Sequence, residues 1–81
     1  MMWSEQDNAL VAQLEFDSFE KAMDFMQQAA RVITQHNHHP EWSNVYNKIS
    51  IKLTTHNAGN KITDKDRKLA EELEKIYCQI V

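Results

Sequence analysis

The apolar residues change their spacing three times along this 81-residue chain, and this change most restricts the fold. Every second residue is apolar from position 10 to position 16, which is typical of a half-buried strand. Helical spacing follows at 19–33, strand-forming residues at 41–55, and helical spacing again at 69–80. The polar segment 3–8 can turn at Asp7–Asn8 and form a hairpin with the first strand. The order β-β-α-β-β-α predicts an α+β fold, a four-stranded antiparallel sheet with two helices packed on one face.

The first helix carries a wide apolar surface. Asp17 with Glu20 predicts a capping box, so we expect the helix to begin near Ser18. One apolar stripe follows helical spacing and comprises Phe19, Ala22, Met23, Met26, Ala30 and Ile33. A second stripe beside it comprises Phe25, Ala29 and Val32. The second stripe either belongs to a deeply buried core helix or packs on another subunit.

Pro40 limits the first helix, because the residue before a proline is pushed out of the α conformation. In the following segment, Asn47–Lys48 is a plausible tight turn between two strands. Ile49, Ile51 and Leu53 would share the inner face of the second of these strands. By the same alternation His56 would lie on the opposite side, so it is not expected in the core.

The second helix has a clear start. Thr63 can act as its cap, and Asp64 and Asp66 suit the positive end of the helix dipole. Its apolar stripe comprises Leu69, Ala70, Leu73, Ile76, Tyr77 and Ile80. Cys78 falls outside this stripe and has no cationic neighbour in sequence that would activate a thiol.

Composition excludes several classes of protein. The length fits one domain, residues 1–81, and the net charge of −3 gives no basic field for direct binding to nucleic acid. No apolar run approaches the roughly 18–20 residues that cross a bilayer, and no signal peptide is evident. A single cysteine cannot form an internal disulfide, which agrees with a reducing compartment. We therefore expect a cytoplasmic protein without a membrane partner.

Three of the four histidines lie within His36–Trp42, and the fourth is His56. Histidine exchanges protons near neutral pH, so a cluster suits general acid and base catalysis. The sequence shows no residue pattern that would activate Ser43 or Ser50 as a nucleophile, so nucleophilic catalysis is not indicated. The pattern favours proton transfer on a bound small molecule.

Two other interpretations of the histidines stay open. His36 and His38 could face the same way on an extended segment and bind zinc together with His56. However, no cysteine pair or diagnostic acidic spacing supports a metal. A histidine at the end of a helix is often a cap or a surface group, and His36 fits that description best.

A family resemblance adds to this interpretation. The motifs Asn37-His38-His39-Pro40-Glu41-Trp42, Thr54-Thr55-His56 and Thr63-Asp64-Lys65-Asp66, in this order, resemble those of the pterin-4a-carbinolamine dehydratases. The resemblance covers the chain from about Trp3 onwards. It implies dehydration of a 4a-hydroxytetrahydropterin to the quinonoid dihydropterin, as in tetrahydrobiopterin recycling after aromatic amino-acid hydroxylation. It also implies that no metal and no organic cofactor take part.

The resemblance assigns roles by position. His38 and His56 would transfer protons on the two sides of the reacting carbon, and His39, the third catalytic histidine, would mainly hold the pterin. Trp42 would wall the site by aromatic packing. Thr55 and Asp66 match further substrate-binding positions, although Asp66 also fits a helix-start carboxylate.

The resemblance also implies partners and shows departures. A homodimer or homotetramer is expected, and vertebrate members bind a homeodomain transcription factor in the nucleus, so a protein-interaction module is the alternative function. Thr34 stands where many members have an acidic residue, and the turn after His56 is one residue longer. The family's usual helical segment ahead of Trp3 is not found.

Overall fold

The computed structural model describes residues 2–81, so Met1, which the predicted domain includes, lies outside the described residues. Its strands are β1 (Ser4–Gln6), β2 (Ala9–Glu15), β3 (Glu41–Val45) and β4 (Lys48–Leu53). Its helices are α1 (Phe19–His36) and α2 (Asp64–Ile80). The strands form one antiparallel sheet in the order β1-β2-β4-β3. This arrangement confirms the predicted sheet and the two helices.

The two central strands supply one face of the core. Leu10 pairs with Leu53, Ala12 with Ile51 and Leu14 with Ile49, and all of these side chains are buried. The alternation in the sequence therefore predicted the correct face of β2 and of β4. On the other face, Ser50 donates a hydrogen bond to Gln13 across the strands at 2.7 Å. The sheet thus has one apolar face and one polar, solvent-facing side, which we call the open face.

The first helix begins one residue later than the capping pattern predicted. Ser18 is the N-cap, and its hydroxyl accepts a hydrogen bond from the backbone N–H of Lys21. The prediction of Asp17 as the cap is wrong, because its carboxylate instead binds the Lys21 ammonium at 3.2 Å. At the other end, Asn37 adopts φ 49°, and its N–H binds the carbonyl oxygens of the last turn. The helix ends before Pro40, as expected.

The second apolar stripe of α1 lies largely inside the single chain. Phe25 and Ala29 have no solvent exposure and belong to the main core. Phe25 also packs against the rings of Phe16 and Tyr77, with centroid separations of 5.5 Å and 6.4 Å. The interpretation of this stripe as a contact with another subunit is therefore wrong for Phe25 and Ala29, and only Val32 is partly exposed.

The turn between β3 and β4 is displaced by one residue from its predicted position. Tyr46 and Asn47 form the turn, and Lys48 already belongs to β4. Tyr46 has φ 54°, a left-handed conformation that is unusual for a bulky residue. The side chain of Asn44 stabilises the turn by donating to the carbonyl oxygens of Tyr46 and Lys48, each at 3.0 Å.

The second helix packs beside α1 on the apolar face of the sheet, and Leu69 and Leu73 are fully buried there. Tyr77 donates a hydrogen bond to the carbonyl oxygen of Glu15, and the Trp3 indole donates to the carbonyl oxygen of Ala70. These contacts tie α2 to both ends of the N-terminal hairpin. Within residues 2–81 neither helix is long and apolar enough to cross a membrane.

Candidate active site

Asp66 is the centre of a buried polar network at the start of α2. Its carboxylate has no solvent exposure and accepts three hydrogen bonds. The backbone N–H of Thr63 donates to Oδ2 at 2.8 Å, and the Thr55 hydroxyl donates to Oδ2 at 2.7 Å. Nε2 of His38 lies 2.5 Å from Oδ1. The same carboxylate therefore caps the helix and holds the histidine.

The network continues through a second hydroxyl. Oγ1 of Thr63 lies 2.7 Å from Oγ1 of Thr55. Because Thr55 uses its single hydroxyl proton on Asp66, Thr63 is the donor in this pair. The backbone of Thr55 is fixed as well, since its N–H binds the carbonyl oxygen of Lys61 at 3.0 Å across the loop. Thus the segment that follows β4, the loop up to Lys61 and the start of α2 all meet at Asp66.

The electrostatics of Asp66 follow from these partners. Burial alone would raise the pKa of the Asp66 carboxyl, but the hydrogen bonds from His38, Thr63 and Thr55 and the charge of His38 outweigh it. The pKa therefore lies below its ordinary value, and the group is ionised at neutral pH. An ionised carboxylate can only accept hydrogen bonds, so Nε2 of His38 carries a proton. Nδ1 is then the ring nitrogen of His38 that the contact with Asp66 does not occupy.

Two adjoining clefts lie where the end of α1, the end of β4 and the start of α2 meet. The inner cleft has a volume of about 260 Å³ and the outer cleft about 400 Å³. They share three residues, His39, Thr54 and His56. The other residues that line the inner cleft are Asn37, His38, Thr55, Asn57 and Lys65. Three histidines thus converge on one cavity.

Most of the predicted site residues come together here. His38, His39, Thr55 and His56 line the inner cleft, and Asp66 lies directly behind His38. Because it is fully buried, Asp66 contacts the histidine and not the open space of the cleft. His56 is exposed and begins a short 3-10 turn, His56–Ala58, so it lies outside the core as predicted.

Trp42 is the predicted site residue that is not placed at the two clefts. It pairs with Ile51 in the β3–β4 register, so the two side chains share the apolar face of the sheet. Its ring is partly buried and packs against the main core. Trp42 also lines a third cavity of about 290 Å³ together with Glu41 and Lys52, which both line the outer cleft as well. Its role as a wall of the substrate site stays a prediction.

Two of the three expected departures from the family can be located in the structure. Thr34 is exposed, and its hydroxyl binds the carbonyl oxygen of Ala30 in its own helix at 2.9 Å. Asp66 supplies the carboxylate beside His38 from a different element. The turn after His56 contains left-handed conformations at Gly59 and Asn60, φ 78° and 59°. His56 lines both clefts with the turn in this conformation.

Sequence reasoning missed Lys65 and Asn57, which also line the inner cleft. Lys65 lies in the first turn of α2, immediately before Asp66, and it brings a positive charge to the histidine cluster. Its position between the two capping residues of α2 could have indicated that it lines the cleft. Side chains in the first turn of a helix lie close to the groups in front of the helix N-terminus. Asn57 had no comparable signal in its loop.

The zinc interpretation of the histidines has no geometric support in the part of the chain that is described. Across residues 2–81 no three His, Cys, Asp or Glu side chains are grouped in a way that could hold a metal ion. His36 ends α1 and is not among the residues lining either cleft, so it does not join His38 and His56. His36 is better described as a residue of the helix end.

Comparisons with known proteins agree with the fold and with the motifs. The sequence profile of the family described as pterin 4 alpha carbinolamine dehydratase matches residues 1–76. A protein of Opitutus terrae named as such a dehydratase is 47% identical over 74 residues, which cover 91% of this chain and 76% of the relative. A protein of Prochlorococcus marinus with the same name is 41% identical over 75 residues, covering 93% of this chain and 77% of the relative.

Solved structures give the same result. The crystal structure of a transcriptional coactivator/pterin dehydratase from Brucella melitensis superposes with a TM-score of 0.88 at 36% identity, covering 94% of this chain and 82% of that one. A pterin dehydratase-like protein identified as a RuBisCO assembly factor of the alpha-carboxysome has a TM-score of 0.82 at 18% identity, covering 95% and 90%. The second likeness shows the fold alone. The profile match, the relatives and the Brucella structure together show that this chain belongs to the pterin-4a-carbinolamine dehydratases, a family of carbon–oxygen lyases.

Proposed function

We propose that this chain dehydrates a 4a-hydroxytetrahydropterin to the quinonoid dihydropterin by histidine acid and base catalysis. The observation that carries the proposal is the convergence of His38, His39 and His56 on one cleft, with His38 held by the buried carboxylate of Asp66. The names of the relatives support this reaction. The geometry of the cleft supports the assignment of the reaction to these histidines.

The chemistry requires two proton transfers. The bond between C4a and its hydroxyl oxygen breaks with both electrons leaving on oxygen, so an acid must protonate that oxygen for water to depart. The N5–H proton must also be lost, so that the nitrogen lone pair can form the new double bond to C4a. Each positioned acid or base accelerates such a step by typically ~10²–10⁴-fold. The net products are water and the quinonoid dihydropterin, and the enzyme recovers its protons.

The surroundings of each histidine indicate its role in these two proton transfers. Asp66 fixes the ring of His38 and its Nε2 proton, which leaves Nδ1 to exchange a proton with the substrate. His56 is exposed, so it can return its proton to water after each turnover. His39 lines both clefts and can hold the pterin ring between them. His38 and His56 would thus act on the two sides of C4a.

The cellular role is part of the same proposal. The reaction would return the pterin cofactor after aromatic amino-acid hydroxylation, as in tetrahydrobiopterin recycling, and it would take place in the cytoplasm. A homodimer or homotetramer stays a prediction, which sedimentation velocity of the purified chain would test. The interaction module has less support as an alternative, because the stripe expected to form its surface contains the buried residues Phe25 and Ala29.

The test is stopped-flow loss of a 4a-hydroxytetrahydropterin with EDTA present throughout. We expect the parent chain to accelerate the loss and His38→Gln to lower kcat about 100-fold or more. His36→Gln is the matched control, since His36 lies outside both clefts, and we expect its kcat to equal that of the parent. No acceleration by the parent, or equal losses in the two variants, would refute histidine catalysis at this site.

A further inference from the structure

The outer cleft contains charged groups that the proton-transfer chemistry does not use. Glu41 on β3 and Lys52 on β4 line it, and their Cα atoms are direct partners in the sheet register. Residues opposite each other in an antiparallel pair point to the same face, here the open face, with Cβ atoms about 4.5–5.5 Å apart. Both side chains are exposed. One acidic and one basic side chain thus line the same cavity as His39 and His56.

The inner and outer clefts adjoin each other. His39, Thr54 and His56 line both cavities, so a flat molecule can extend from one into the other past these three residues. C4a is a ring-fusion carbon, and its neighbour in the pyrimidine ring carries the O4 carbonyl. When C4a lies among the histidines of the inner cleft, the pyrimidine ring can therefore extend into the outer cleft.

The pyrimidine edge of a pterin matches the charged pair. Along this edge O4 accepts hydrogen bonds, while N3–H and the 2-amino group donate them. Lysine can only donate and glutamate can only accept. We propose that Lys52 binds O4 and Glu41 binds N3–H and the 2-amino group, so that this cross-strand pair recognises the 2-amino-4-oxo edge of the ring. The inference rests on the proposed function for the position of C4a.

The charges of the outer cleft favour the ring edge over the C6 substituent, the other part of the substrate that could reach it. Asp7 also lines this cleft, which makes two carboxylates beside one lysine. These charged groups favour a ligand with more donors than acceptors, and the edge from O4 to the amino group has this character. A hydroxyl both donates and accepts, so a hydroxylated substituent does not match the lining in this way.

Binding of unreactive ring compounds tests the inference directly. The probes are 6-methylpterin and 6-methyllumazine, which carries an oxygen in place of the 2-amino group. We expect the parent chain to bind the pterin about 10-fold more tightly, because the lumazine oxygen faces the Glu41 carboxylate. Glu41→Gln should reduce this preference to about 2-fold. Lys52→Met should weaken both probes about 5-fold, because both retain O4.

Matched controls come from the other end of the same face. Glu15 and Lys48 are direct partners in the β2–β4 register, are exposed, and line neither cleft. Glu15→Gln and Lys48→Met should therefore leave both affinities unchanged. Equal binding of the two probes by the parent chain, or an unchanged preference in Glu41→Gln, would overturn the inference.

A second assay separates the two parts of the substrate. Dehydration is measured with substrates that carry either a methyl or a dihydroxypropyl group at C6. We expect Glu41→Gln and Lys52→Met to raise KM by the same factor for both substrates, with kcat little changed. A loss confined to the dihydroxypropyl substrate would place the substituent in the outer cleft and overturn the inference. If the parent chain catalyses no dehydration, the proposed function fails, and the comparison of pterin with lumazine still decides this inference.

Discussion

Oδ1 of Asp66 lies 2.5 Å from Nε2 of His38, in a position where the carboxylate has no contact with solvent. The two residues are separated by 28 positions in the chain, with His38 in the segment between α1 and β3 and Asp66 in the first turn of α2. Their contact fixes both the orientation of the imidazole ring and the nitrogen that carries its proton. Asp66 is thus a positioning residue for the proposed acid and base chemistry.

Asp66→Asn should lower the dehydration rate more than it changes substrate binding. The amide can turn its NH₂ group towards Nε2, which would favour the wrong tautomer of His38. We expect kcat to fall about 10- to 100-fold with KM within a factor of about 2. Asp64→Asn is the control, because Asp64 is an exposed carboxylate in the same helical turn. A similar loss in both variants would mean that the start of the helix, and not the contact with His38, limits catalysis.

Acid titration gives an independent test of the lowered pKa of Asp66. A carboxyl whose pKa is lower in the folded chain than in the unfolded chain, where it is about 3.9, stabilises the fold above that value. This stabilisation decreases as the pH falls below about 4 and through the folded-state pKa, where the group becomes protonated. We therefore expect the free energy of unfolding of the parent chain to fall more steeply than that of Asp66→Asn over this acidic range. Parallel curves from urea titrations would contradict the lowered pKa.

Thr55→Val should destabilise the chain and disturb the site together. The change removes the hydroxyl that donates to Asp66 at 2.7 Å and leaves the Thr63 hydroxyl without its acceptor. We expect a loss of about 1–3 kcal/mol in the free energy of unfolding, measured by urea titration. Thr34→Val is the matched control, since Thr34 is exposed and binds only within its own helix. Its effect should stay within about 0.5 kcal/mol.

Phe25→Ala distinguishes a core position from an interface. Phe25 is fully buried in the single chain, so truncation should cost about 3–5 kcal/mol in the free energy of unfolding. Phe19→Ala, on a side chain that is 40% exposed, should cost about 1 kcal/mol. A Phe25→Ala variant that keeps the parent's stability but changes its sedimentation coefficient would support the interface and contradict the core assignment.

Tyr46→Asn should make the β3–β4 turn more stable. The left-handed conformation of Tyr46, φ 54°, costs a residue with a bulky side chain roughly 1–2 kcal/mol, whereas asparagine adopts it more readily. Because Tyr46 is 65% exposed, little packing is lost. We expect a gain of about 0.5–1 kcal/mol, visible as a higher Tm. Val45→Asn, at the neighbouring strand position, should give no gain, and a gain there would point to a general effect of polarity.

The fold could be predicted because each element has its own apolar period. The alternation at β2 and the stripe of α2 both identified the residues that are buried. The ends of the helices and strands could be predicted only to within one residue, because neighbouring residues can cap a helix or form a turn equally well. Asp17 and Ser18 can both cap a helix, and the local sequence does not distinguish between them, whereas in the structure Ser18 is the cap. Likewise, the register of the β3–β4 pair places Tyr46 in the turn despite its poor intrinsic fit.

The site was predictable as a group of residues but not as a geometry. The family motifs identified His38, His39 and His56, which line one cleft. They did not show that Asp66 is fully buried or that Trp42 shares the apolar face of the sheet, because both facts depend on how distant elements pack. Lys65 was overlooked for the same reason, since only the docking of α2 against the loop brings its side chain to the inner cleft.

Because Asp66 both caps α2 and holds His38, order at the start of α2 and the proposed catalysis by His38 depend on the same carboxylate. A molecule in which the first turn of α2 opens has also released the imidazole ring and lost its fixed tautomer. Under the proposed mechanism, the active fraction at any temperature would be the fraction with this turn closed, even where the rest of the core is intact. The turnover rate would thus report the opening of this single helix end, at temperatures well below that at which the whole chain unfolds.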